Sequence, residues 1–193
     1  MVTGASRGIG RAVAERIVAA GDRVAVVARG EAVDAIADSL GERCLACRGD
    51  VSDPDSMVAV MDRVIAAWGR VDVVVNNAGC HRGGRVGRLA VDDWQQVLDT
   101  NLSGALHTIR AVDPHLQQGA AIVNVGAVVG FRGFPGDSAY AASKAGLAGL
   151  TRALAIELAP RGITVNLVIP GLVLTEMTSG LSDKAREALR STI

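Results

Sequence analysis

The sequence predicts a single α/β domain built on a doubly wound parallel sheet with helices on both faces. Three observations lead there. Strand-like and helix-like stretches alternate along all 193 residues. The strand-like stretches are short, continuous apolar runs, as in strands buried on both faces. A glycine-rich turn over residues 4–10 separates the first strand from the first helix. Apolar residues make up 49% of the chain and aromatics only 3%, so the core has to be assembled from Val, Ala, Leu and Ile. Twenty basic residues balance twenty acidic ones, which argues against a nucleic-acid or membrane-surface binder. No apolar run approaches the ~18 residues of a membrane span, and no leader pattern precedes the first turn; a cytoplasmic protein is expected.

Element by element, Val2 and Thr3 read as the stub of the first strand. Residues 8–20 form a helix with Ile9, Val13, Ile17 and Val18 on one face, stopped by Gly21. Residues 24–28 are the second strand, 31–40 a helix and 44–47 the third strand. Asp53 suits an N-cap and Pro54 the first helical position of a helix running through Trp68. Strands follow at 71–75 and 122–125, a long helix after Tyr140 ends near Pro160, and a strand at 163–169 precedes a last helix at 182–191. Neither a linker nor a second domain is visible, so 1–193 reads as one unit. The pair Cys44 and Cys47 has C-x-x-C spacing but lies in a strand, whereas a reactive dithiol wants a helix N-terminus. With only Cys80-His81 elsewhere, no set of metal ligands forms.

The turn reads Thr3-Gly4-Ala5-Ser6-Arg7-Gly8-Ile9-Gly10. Glycines between a strand and a helix allow a tight turn and close backbone approach to a pyrophosphate, which the free N–H groups of the helix start attract. The fold is therefore expected to be Rossmann-like, with ligands at the carboxyl ends of the strands. An enzyme of this kind that prefers NAD carries a carboxylate at the end of the second strand for the ribose 2′-hydroxyl. Here that place holds Ala28 followed by Arg29, and Arg7 lies inside the glycine turn. Two guanidiniums without a carboxylate suit a 2′-phosphate, so NADP(H) is the expected cofactor.

Tyr140 is the only tyrosine of the chain, and Lys144 follows it at helical i+4 spacing, which places both on one face. An ammonium beside a phenol stabilises the phenolate and lowers its pKa. The glycine turn, Asn76-Asn77-Ala78-Gly79, Asn101, the Tyr140/Lys144 pair and Pro170-Gly171 together resemble the short-chain dehydrogenase/reductase family. Within it the chain looks most like the 3-oxoacyl-[acyl-carrier-protein] reductases. The resemblance spans essentially the whole chain. Relative to the family it is short at both ends, and the family's last helix and edge strand are expected to be lacking.

The resemblance implies NADPH-dependent reduction of a ketone, with Tyr140 as proton donor, Lys144 on the nicotinamide ribose and Asn101 in the proton relay. It places Gly4, Ser6, Arg7, Gly8, Ile9, Gly10 and Arg29 around the phosphates and ribose, with Asp50 and Val51 against the adenine. It places Asn76, Ala78 and Gly79 along the cofactor, and Pro170, Gly171, Val173 and Thr175 around the carboxamide. One departure matters: the family's catalytic serine, thirteen positions before Tyr140, falls on Ala127. Ser138, two positions before Tyr140, does not share its helical face and is a poor substitute. Reduction of a 3-oxoacyl thioester, slowed by Ala127, is the leading reading. Reduction of another ketone, or cofactor binding without catalysis, stand as alternatives. Arg82, Arg85 and Arg88 follow His81 in a loop that either attracts an acyl carrier protein or is simply solvated. His81 itself reads as a loop residue. The resemblance also implies homo-oligomers, formed in the family through long helices corresponding to 92–116 and 138–159 and through the final strand; with that strand expected to be lacking, a dimer through the helices is expected.

Overall fold

The computed structural model describes residues 1–180 and 186–187. Strand β1 is short, Val2–Thr3, and α1 runs Gly8–Ala19, after which Gly21 turns the chain at φ 93°. Then come β2 (Val24–Ala28), α2 (Ala32–Leu40) and β3 (Cys44–Arg48). Helix α3 (Pro54–Trp68) starts as expected: the Asp53 carboxylate accepts the Asp55 N–H at 3.0 Å, and Gly69 ends the helix in the left-handed region. Strand β4 is Val71–Asn76. After α4 (Val91–Leu98) and α5 (Gly104–Val112) come β5 (Leu116–Val125), the short α6 (Val129–Arg132), α7 (Ser138–Leu158) and β6 (Thr164–Val168).

All pairings are parallel, in the order β3-β2-β1-β4-β5-β6. The chain winds outward from β1 in one direction and from β4 in the other, so Val2 pairs with Val26 on one side and Val75 on the other. A crevice opens at the carboxyl ends where the winding reverses. One core packs Met57, Val60, Met61, Val64, Ile109, Val112 and Leu158 from α3, α5 and α7 against one face of the sheet. The second packs Ala14, Val33 and Ile36 from α1 and α2 against the other. Cys44 faces the second core and Cys47 the first, so the two thiols point to opposite sides of the sheet. Burial pushes the Cys44 thiol up to about 11 and raises that of Cys47 as well, which leaves no redox dithiol there.

Two expectations need correction, and one element was not foreseen. The continuous helix over 92–116 is divided into α4 and α5 by a π-helical turn, Asp99–Ser103, and ends in a 3₁₀ turn at Asp113–His115. Gly104 follows that turn and packs α5 closely against Val51, whose Cγ2 would lie 2.7 Å from a Cβ at that position. Strand β5 begins at Leu116 instead of Ile122, since Gln117, Gln118 and Gly119 are exposed strand residues that read as loop. Helix α6 has only four residues and no periodic signal. The helix expected over 182–191 falls mostly outside the described residues. Among the described residues β6 forms the sheet edge, with Val168 and Ile169 about half exposed, and no helix is long and apolar enough to cross a membrane.

Candidate active site

The glycine turn is built from β1 outward. Gly4 takes φ 65°, and a Cβ there would stand 2.7 Å from Ala78 Cα, so the loop after β4 presses directly on the turn. Asn77 fastens the two: its side-chain amide donates to the carbonyls of Thr3 (2.9 Å) and Gly4 (3.1 Å). The Thr3 hydroxyl accepts the N–H groups of Asn77 and Ala78, each at 3.1 Å. Gly10 lies behind this junction, where an added methyl group would overlap the Asn77 amide and come within 2.5 Å of the Gly4 carbonyl. The absent side chains thus make a close backbone cradle at the start of α1, a fit for a pyrophosphate.

That cradle opens into a cleft of about 440 Å³ at the reversal of the sheet. Gly4, Ser6, Arg7, Gly8 and Ile9 line one end, with Arg29, Asp50 and Val51 beside them. Ala78 and Gly79 form the floor, and Ala127, Tyr140 and Lys144 the far wall. Pro170, Gly171, Val173 and Thr175 close it from the segment after β6. The Arg29 guanidinium stands 3.7 Å from the Asp50 carboxylate, with both side chains substantially exposed. Burial acts to raise the Asp50 pKa. Hydrogen bonds from the Ser52 hydroxyl (2.7 Å) and N–H (2.9 Å), with Arg29, nevertheless hold it below the ordinary value.

Tyr140 and Lys144 lie on one face of α7, with the ammonium 5.6 Å from the centre of the phenol ring. The Lys144 amine is buried and donates to the Val125 carbonyl at the end of β5 (2.7 Å). Burial lowers its pKa to about 8. The Tyr140 pKa, expected to be lowered by the lysine, is instead pushed up to about 12. Burial is the largest cause, with the Asp137 and Cys80 charges acting in the same sense. At neutral pH the phenol is protonated, the state a proton donor needs.

Three of the expected site residues stand behind the cleft wall. Gly10 serves the packing just described. Asn76 is buried and donates to the Asn124 side chain (2.9 Å), which in turn donates to Thr151 (2.9 Å), tying β4 through β5 to α7. Asn101, in the π-helical turn, accepts the Cys80 N–H (2.7 Å) and donates to the Cys80 carbonyl (2.9 Å) and to Ser143 (3.1 Å). Its amide is committed to holding the loop after β4. A buried asparagine fully engaged in this way orders its surroundings.

A sequence profile of the short chain dehydrogenases matches residues 1–186. The chain belongs to that family. It is 41% identical, over 200 residues, to the 3-oxoacyl-[acyl-carrier-protein] reductase FabG of Staphylococcus aureus, spanning 100% of this chain and 81% of that one. A short chain dehydrogenase of Burkholderia cenocepacia, solved in complex with NADP, superposes with a TM-score of 0.89 at 40% identity, over 97% of this chain and 80% of the other. The 3-ketoacyl-(acyl-carrier-protein) reductase of Brucella melitensis, complexed with NADH, gives a TM-score of 0.90 at 29% identity, over 96% and 80% of the two chains. Membership makes this chain an oxidoreductase acting on ketone or alcohol groups. The NADP(H) expectation agrees with the nucleotide held by the Burkholderia neighbour.

Sequence reasoning passed over several residues of this region. Asn77 sits inside the Asn-Asn-Ala-Gly tetrapeptide, yet its task of fastening the turn is encoded only by contact with β1. His81, read as a loop residue, stacks edge-on against Tyr140 with ring centres 5.4 Å apart, and its Nε2 lies 2.9 Å from Asp137 Oδ1. The two are separated by 56 positions, and no local signal joins them. Ser138, at the first turn of α7, is not part of the cleft wall. Among the described residues no group of three or more metal-ligating side chains occurs.

Proposed function

We propose that the chain catalyses NADPH-dependent reduction of a 3-oxoacyl thioester to the 3-hydroxyacyl product, at a rate held down by Ala127. The observation that carries this reading is the convergence of Tyr140 and Lys144 on the wall of the cleft that opens from the glycine cradle. The 41% identity to a carrier-protein reductase supports the substrate class. Bound NADPH supplies the hydride to the carbonyl carbon. The protonated Tyr140 hydroxyl then donates to the oxygen as negative charge develops on it. The Lys144 ammonium, held by the Val125 carbonyl, offsets the phenolate left behind, and the family resemblance assigns it the nicotinamide ribose of a bound nucleotide. Arg7 and Arg29 meet the 2′-phosphate, and Asp50 and Val51 the adenine. Arg82, Arg85 and Arg88 give the carrier protein an attractive rim, although Arg82 is partly occupied by Asp93 at 3.6 Å.

Ala127 lines the same wall, but its methyl side chain offers no hydroxyl to donate to the substrate carbonyl. One missing preorganised donor costs about 10²–10³ in rate. Slow reduction is therefore expected from the natural chain, and Ala127→Ser should accelerate it by roughly 10²-fold. NADPH oxidation with a short 3-oxoacyl thioester measures both. Two equally silent proteins would set reduction aside in favour of a chain that binds cofactor without turning it over, the reading that Ala127 itself favours.

A further inference from the structure

We propose that His81 and Asp137 are positioning residues for Tyr140, a carboxylate–imidazole pair that closes the loop after β4 over the tyrosine and whose protonation sets the charge beside its ring. The inference rests on the reading of Tyr140 as proton donor and deepens it.

The geometry is built from two segments. Asp137 occupies the N-cap position of α7, a helix of 21 residues, yet its side chain caps nothing. A carboxylate at an N-cap ordinarily accepts an N–H of the first turn, a bond worth about 1 kcal/mol. Here it is turned toward His81 Nε2 at 2.9 Å and is only 18% exposed. A second link runs parallel to the first: the Gly84 N–H donates to the Gly136 carbonyl at 2.8 Å. Side chain and backbone together latch the loop onto the turn that opens α7. The latch crosses Tyr140, whose ring meets the imidazole edge-on. The charged and titratable groups around the phenol are Asp137 before α7, Cys80 and His81 on the loop, and Lys144 on α7. Those around the imidazole are Asp137, Tyr140 and Arg82, the last bound to Asp93 of α4.

The electrostatic sign follows from these neighbours. The hydrogen bond to Asp137 raises the His81 pKa above its ordinary value, against the effects of burial and Arg82. The Asp137 charge opposes formation of a phenolate at Tyr140. When Tyr140 gives its proton to the alkoxide, the electron pair of the broken O–H bond stays on the phenol oxygen. A protonated His81 cancels Asp137 at that moment, and a neutral one does not. Turnover in the reducing direction therefore falls as pH rises through the His81 midpoint.

The test uses the full chain and does not depend on turnover. With three histidines and one tyrosine in the chain, both groups can be followed individually. NMR should place the His81 midpoint above about 6.5, and Asp137→Asn should lower it. Alkaline titration of tyrosinate absorbance should show Asp137→Asn lowering the Tyr140 midpoint by on the order of one pH unit. His81→Gln should leave that midpoint unchanged, because the imidazole is already neutral at such pH. A latch with no electrostatic role would hydrate the phenol in both variants and lower both midpoints alike, which overturns the proposal. So does a His81 midpoint indifferent to Asp137. Kinetics separates the two levels of argument. The natural chain should lose about three- to tenfold in kcat across the His81 midpoint, and His81→Gln should show a flat, low profile with KM little changed. Turnover without that limb defeats the pair and leaves the function standing. Absent turnover with both titrations as expected defeats the function and leaves the pair.

Discussion

Lys144 carries an amine into the interior with one carbonyl for company, and its cost to stability depends on pH in a defined direction. Its folded pKa, about 8, lies below the unfolded value of 10.5 because burial disfavours the charge. Between those values the unfolded chain binds a proton that the folded chain does not, so stability rises with pH across that window. Below it the full penalty of about 3 kcal/mol applies. Lys144→Met should therefore stabilise the fold at pH 7 by about 1–3 kcal/mol, allowing for the orphaned Val125 carbonyl. Its advantage should fade as pH approaches 10.5. Comparing the two proteins by urea unfolding at neutral and alkaline pH cancels the opposing titrations of the cysteines and Tyr140. A constant offset, or a loss at pH 7, would contradict this account. That a lysine stands four positions after the tyrosine is visible in the sequence; that burial pushes the phenol pKa up is not, because burial is decided by β5 and the loop after β4. The same limit hides His81. Its partner arrives from a distant turn, and only the fold brings them to 2.9 Å.

At the scale of elements, the turn between β1 and α1 is held by contact more than by its own conformation. Gly10 is helical and carries no positive φ, so propensity alone would welcome alanine there by up to about 1 kcal/mol. The methyl group would instead collide with the Asn77 amide, which is hydrogen-bonded to Thr3 of β1, and with the Gly4 carbonyl, which accepts from that same amide. Gly10→Ala should thus destabilise the protein by about 1–3 kcal/mol, as overpacking does, and weaken cofactor affinity by displacing the cradle. Urea unfolding and cofactor titration check the two effects, and a stabilised variant would show that the turn yields freely. Elements with strong local signals were legible at this scale: α3 begins with the Asp53–Pro54 cap and β2 is a plain apolar run. The π-helical turn between α4 and α5 was not, because Asp99–Ser103 carries neither glycine nor proline to mark a break in the helix.

For the molecule as a whole, the cleft draws its walls from both halves of the sheet, β1 to β3 on one side and β4 to β6 on the other. Parallel winding and the place of the crevice could be read from the alternation of elements and the glycine turn, since both follow from handedness and loop length. A ligand bound there joins the halves and stabilises only the folded state, by about 2.7 kcal/mol at a hundredfold excess over its Kd. The two nicotinamide nucleotides should differ in how far they do so. Arg29 is mostly exposed, and its 3.7 Å contact with Asp50 is a surface pair worth at most about 1 kcal/mol, so in the proposed binding mode the guanidinium would readily turn to a 2′-phosphate, with which it would form stronger charge-assisted bonds. At equal concentration NADPH should therefore raise the thermal midpoint more than NADH does. Arg29→Ala should remove most of that difference while leaving the NADH shift nearly intact, because in the proposed binding mode the glycine cradle and the Asp50–Val51 corner would serve both nucleotides. Equal shifts by the two in the natural chain would mean that Arg7 and Arg29 are solvated surface charges, and that the preference for the phosphorylated cofactor has no basis in this cleft.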